Sequence, residues 1–119
     1  MANEPDLRIR TKQMALRIIR LVEALPKGET SKVIGRQLLR CGTSVGANYR
    51  ASKRAKSRAD MINKLKIVEE EADETLYWLE LLIDAELIPE SKLKPLYTEV
   101  EEILAMTVSS IKTLRANAD

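Results

Sequence analysis

Apolar residues in this chain recur at intervals of three and four in four successive stretches, and in none of them do they alternate convincingly with polar ones. A spacing near 3.6 lays one apolar stripe along a helix, whereas a half-buried strand needs a spacing of two. The chain is thereby confined to helices that bury their stripes against one another. Leu7, Met14 and Leu21 recur every seven residues, with Thr11, Ile18 and Leu25 four behind them, and Ala15 and Val22 flank this first seam. Ile34, Leu38, Cys41, Val45 and Asn48 form a second. A third runs through Met61, Leu65, Val68, Ala72, Thr75 or Leu76, Leu79 and Leu82, and a fourth through Leu93, Leu96, Val100, Ile103, Thr107, Ile111 and Leu114.

Glycine and proline punctuate these stretches and give helices over about residues 5–25, 31–55, 57–87 and 90–115. Pro26-Lys27-Gly28 ends the first, and Thr30 or Ser31 can cap the second. Ser57-Arg58-Ala59-Asp60 reads as a capping box, in which serine and aspartate satisfy each other's exposed backbone N–H groups. Pro95 is compatible with the fourth helix only within its first turn or so. Short connections favour antiparallel neighbours, so the expected fold is all-α, an up-down-up-down four-helix bundle. A chain of 119 residues is one domain, 1–119, with enough length for a single core. With no Phe, one Trp and three Tyr, that core must be filled by Leu, Ile, Val, Met and Ala.

Several functions are disfavoured by composition. There is no His, so the Glu-x-x-His ligands of a ferritin-like di-iron site are missing, and no nucleophile has an imidazole base. Cys41 is the only cysteine; it cannot close an intramolecular disulfide or supply a Cys-based zinc site, and it reads as a small buried hydrophobe. Glu69 with Asp73, and Glu70 with Glu74, present carboxylates at four-residue spacing, a pattern that belongs to a solvated or salt-bridged face far more often than to Mg²⁺. The expectation is a protein without catalytic residues, metal or cofactor. No apolar run approaches the roughly 20 residues of a membrane span and MANEPDLRIR has no signal-peptide core, which points to the cytoplasm.

Charge supplies the positive signal. Ten of the twenty Lys and Arg lie between residues 32 and 66 against one acid, Asp60, a balance of +9; from Ile67 onward thirteen acids face four bases, a balance of −9. Such polarity fits an anionic partner, or copies that join basic surface to acidic surface. Lys32, Arg36 and Arg40 recur every four residues, as do Arg50, Arg54 and Arg58, and Lys53 adds to the second group. Repeated cations on one helical face can meet successive phosphates of RNA or DNA. Tyr49 is the only aromatic in the block, which favours backbone and shape recognition over base readout. A solvated face, or pairing with the acidic third helix, is the plainer explanation.

Two further features exceed what an isolated bundle requires. Residues 76–87 are apolar around most of a helical wheel, and the surplus, chiefly Tyr77, Trp78, Leu81 and Ala85, calls for a second covering surface: a subunit interface, or the chain's own loops and fourth helix. Gly35, Gly42 and Gly46 in one helix, each costing up to about 1 kcal/mol relative to alanine, indicate something close against its backbone, either a neighbouring helix or a phosphate chain. Asn48 on a seam must find partners, most simply by fixing register or bonding another helix.

These residues carry a resemblance. Arg40-Cys41-Gly42-Thr43-Ser44-Val45-Gly46-Ala47-Asn48-Tyr49-Arg50-Ala51, and the run from Lys64 through Val68-Glu69-Glu70-Glu71-Ala72-Asp73-Glu74 to Trp78-Leu79-Glu80-Leu81-Leu82, resemble the bacterial four-helix-bundle proteins first noticed as reading frames in intervening sequences of 23S ribosomal RNA genes. Arg50-Ala51, where another branch carries an acidic residue and glycine, and Met61, where similar sequences often have Phe, make the surface chemistry branch-specific. The resemblance implies a cyclic homopentamer. It also implies similarity to the accessory proteins of diversity-generating retroelements, which bind nucleic acid and a reverse transcriptase. It brings no catalytic residues.

Overall fold

The computed structural model of the chain describes residues 3–117. It contains four helices, α1 (Asn3–Glu23), α2 (Glu29–Ser52), α3 (Arg58–Asp84) and α4 (Glu90–Ala116), joined by three connections of five residues each. Each helix packs on the next and α1 returns against α4, while neither diagonal pair brings Cα atoms within 8 Å among the described residues. This is a square up-down-up-down bundle, elongated to 51 × 23 × 21 Å.

Its core follows the seams. Leu7, Met14 and Ile18 meet Leu38, Val45, Val68, Leu79, Leu82, Val100 and Ile103, all sealed from solvent. Thr75 and Leu76 are both buried, so the third seam uses each of the two residues between which spacing alone could not choose. The buried threonines spend their hydroxyls inside their own helices: Thr75 donates to the Glu71 carbonyl and Thr107 to the Ile103 carbonyl, each at 2.8 Å. Among the described residues no buried side-chain nitrogen or oxygen lacks a partner. Cys41 is fully buried, and its Sγ lies 3.3 Å from the Thr75 hydroxyl oxygen. Burial pushes the thiol up from its ordinary pKa, as suits an inert packing residue.

The glycines of α2 are explained by α1. A Cβ on Gly42 would come within 3.1 Å of Ile18, one on Gly46 within 3.2 Å of Thr11, and one on Gly35 within 3.0 Å of Val22. The neighbouring helix, and not a phosphate chain, occupies that face, and the three contacts fix an antiparallel register. Opposite, Arg10 clamps α1 to α4: its guanidinium donates to both Glu99 oxygens at 2.8 and 2.7 Å and to Glu102 at 2.7 Å.

Several details depart from the sequence reading. Helix α2 begins at Glu29, before both Thr30 and Ser31, and neither caps it; Gly28 holds the N-cap position at φ 139°, with no side-chain cap. The seam of α2 leaves Asn48 half-buried and takes Tyr49 into the core, because the step from Val45 is four residues rather than three. Asn48 bonds its own helix, donating to the Ser44 carbonyl at 2.9 Å and the Ser44 hydroxyl at 2.8 Å. Helix α2 stops at Ser52 and α3 at Asp84, each three residues short of the expected end. Glu86 adopts a left-handed φ of 59°, with its N–H on the Ile83 carbonyl and that of Leu87 on the Leu82 carbonyl at 2.9 Å, a Schellman turn without glycine. Pro95 is the sixth residue of α4, past its first turn, where its missing N–H leaves the Ser91 carbonyl without a helical donor.

The Ser57 cap is present. Its hydroxyl accepts the Asp60 N–H at 3.1 Å, but the Asp60 carboxylate takes the N–H of Lys56, one residue earlier than a standard box.

Candidate nucleic-acid interface

Helix α2 turns Ile34, Leu38, Cys41, Val45 and Tyr49 inward, and the rest of its wheel faces α1, α3 and solvent. At 100° per residue Lys32, Arg36 and Arg50 fall on one outward strip of α2, and Arg54 follows just past its end. All four are exposed, as are Arg40, Lys53 and Arg58. From Lys32 to Arg50 the strip is about 27 Å long. The two ladders are therefore both present on the surface, but they are not continuous. Leu39, Thr43 and Ala47 lie between Arg36 and Arg50 along the strip.

The cations differ in what they touch. Arg40 leans to α3, where it binds Glu74 and reaches Glu71 at 3.4 Å, with Gln37 accepting from its Nε at 3.2 Å. For this residue, pairing with the acidic third helix is what the structure shows. Glu74 also accepts from the Trp78 indole N–H at 3.0 Å. Lys53 sits over the Tyr49 ring, 5.2 Å from its centroid. Lys32, Arg36, Arg50, Arg54 and Arg58 have no carboxylate within 4.0 Å among the described residues. The one acid of the block, Asp60, is held by Lys64 at 2.9 Å, and this bond and the Lys56 N–H keep its carboxyl below its ordinary pKa.

Two cations were missed by reading α2 alone. Arg8 and Lys12 of α1 line the same groove as Arg50, an open depression of about 880 Å³ between α1 and α2 with no acidic residue in its wall among the described residues. Their four-residue spacing is visible in the sequence, but placing them beside Arg50 requires the helix–helix register.

The expected interface residues separate. Tyr77 is 53% exposed and Ala85 lies exposed at the C-cap of α3, whereas Trp78 and Leu81 are half-buried against the core. Tyr77 and Trp78 stack edge to face with centroids 5.1 Å apart. Leu87 and Ile88 also pack on the core, because the turn at Glu86 folds them back. The molecule's own turn thus covers part of the apolar surplus and leaves Tyr77 uncovered. Among the described residues, no three carboxylates or thiols are grouped to hold a metal ion, and no helix is long and apolar enough to cross a membrane.

The model of the 23S rRNA-intervening sequence proteins matches residues 6–109, nearly the whole bundle. The chain belongs to this family. Among solved structures it is similar to a protein with unknown function from the S23 ribosomal protein family of Bacteroides thetaiotaomicron. The two share 42% identity over 89% of this chain and 98% of that one, with a TM-score of 0.84. Comparison with curated proteins gives no match. Membership accounts for the fold and for the matched α2 and α3 segments.

Proposed function

We propose that this family member is a non-enzymatic, self-assembling bundle that binds nucleic acid through the phosphate backbone, as a ribonucleoprotein-type accessory factor. The observation that carries the reading is the set of exposed cations, Lys32, Arg36, Arg50, Arg54 and Arg58, with no carboxylate within 4.0 Å among the described residues. Seven acids lie on the adjacent stretch of α3, and among the described cations of the block Arg40 alone pairs with them. Phosphate contacts position a protein without reading sequence, so the expected binding is sequence-tolerant. Assembly multiplies the positive field, and the family resemblance supports a ring of five, a retroelement-type partner such as a reverse transcriptase, and a cytoplasmic setting.

Filter binding with structured RNA and with duplex DNA tests this. Each lost phosphate contact lowers the slope of log K against log salt by about 0.7–0.9. Arg36→Glu with Arg54→Glu is expected to weaken binding and flatten the slope, while Lys92→Glu on α4 leaves both unchanged. Unchanged affinity and slope in the folded double variant would remove the proposal. A second reading, in which the charged faces serve only assembly and protein partners, is favoured by the Arg40 contacts with Glu71 and Glu74, and would then stand.

A further inference from the structure

Five of the exposed large apolar side chains fall on two surfaces of opposite charge. Ile9 and Leu16 of α1 and Leu39 of α2 line the depressions between those helices. The register set by Thr11 at Gly46, Ile18 at Gly42 and Val22 at Gly35 puts Leu39 level with about residue 19 of α1, so this apolar strip is about 15 Å long. Arg8, Lys12 and Arg50 border it, with no carboxylate within 4.0 Å among the described residues. On α3, Ile67 and Tyr77 are exposed about 15 Å apart on the outward side. Glu70, Asp73 and Asp84 are exposed around them without an ion-pair partner among the described residues, and α3 has no Lys or Arg from Ile67 to Asp84. The two surfaces match in length, in apolar content and in opposite charge.

We propose that the α1–α2 groove of one copy receives the outward face of α3 of a second copy, Ile67 and Tyr77 entering between Ile9, Leu16 and Leu39 while Arg8, Lys12 and Arg50 meet Glu70, Asp73 and Asp84. This specifies the contact behind the self-assembly reading and rests on it. Because unlike surfaces meet, the contact is heterologous, and each copy offers one donor face and one acceptor groove. It also divides the cations: Arg50, counted above with the phosphate-binding set, serves the contact with Arg8 and Lys12, and Lys32, Arg36, Arg54 and Arg58 remain for phosphate.

Mixing separates this geometry from its alternatives. Leu16→Glu destroys the groove and spares α3; Tyr77→Glu does the reverse. Both residues are about half exposed, 43% and 53%, so each variant is expected to keep its helicity by circular dichroism and to give the 13.5 kDa chain mass by native mass measurement under conditions where the wild type assembles. The equimolar mixture retains one intact groove and one intact α3 face, and is expected to yield a species of twice the chain mass and nothing larger. Lys12→Glu is a second groove variant for the same mixture. Variants that keep the wild-type mass, or monomeric variants that stay monomeric on mixing, would overturn the contact, as would groove variants that lose RNA affinity while keeping their mass. A monomeric wild type would instead remove the self-assembly reading itself, so the two failures are distinguishable.

Discussion

A single carboxylate illustrates how charge is used inside this bundle and how it is left over outside. Glu99 accepts two bonds from Arg10 across the α1–α4 seam, and these hold its carboxyl below the ordinary carboxylate range. The folded state therefore binds fewer protons than the unfolded chain near that range. The resulting stability is present in full above the ordinary carboxylate pKa and is lost as pH falls through the depressed value. Glu99→Gln is expected to cost about 1 kcal/mol in urea unfolding at pH 7, a cost that shrinks as the pH is lowered through the depressed value and the wild-type carboxyl takes up its proton. A loss that does not shrink with falling pH would show that the pair is not what Glu99 contributes. Tyr97 moves the other way: its hydroxyl donates to Glu80 at 2.5 Å, which pushes its pKa up to about 12. At this scale the sequence was partly legible. Ser57 announced its cap, since a serine three residues before an acid has a local chemical reason to stop the chain. Asn48 misled, because one residue of drift in a 3.6-residue repeat decides whether the asparagine or Tyr49 enters the core.

Among the elements, α2 carries the most information. Its three glycines were legible as close approach, and the structure supplies the partner, α1, together with the register that places Arg8 and Lys12 beside Arg50. That register is a relation between two helices, so no reading of either one alone contains it. Gly42, which faces a fully buried side chain, is the most direct test. An alanine there gains about 1 kcal/mol of helix propensity. Its methyl, however, meets Ile18, a fully buried β-branched side chain, at 3.1 Å from both of its branches. Overpacking of this kind costs about 1–3 kcal/mol, so Gly42→Ala is expected to lower stability by about 1 kcal/mol in denaturant unfolding. A stabilised variant would mean that α1 yields easily. The end of α3 was not legible, because Glu86 takes a left-handed conformation that glycine ordinarily signals. The wheel drawn through residue 87 therefore overstated the apolar surplus: Leu87 and Ile88 leave the helix and close over the core.

For the whole molecule, the near-neutral total of +2 conceals a segment of +9 followed by one of −9, and the bundle gives that division along the chain a division in space. The basic segment runs along α2, through the connection and into the start of α3, and the acidic segment forms the rest of α3 and α4. Periodicity was enough to read the four helices and their topology, since a stripe on each of four consecutive helices with five-residue connections leaves few other arrangements. The surface was less legible, because whether Arg40 or Arg36 is available depends on which lies within reach of Glu71 and Glu74. On the proposed reading, these exposed, unlike surfaces are covered by further copies. Native mass measurement of the wild-type protein over a range of concentrations tests that claim most directly. A stable multiple of the 13.5 kDa chain is the expected result, five copies by the family resemblance, whereas a 13.5 kDa species at every concentration would contradict it.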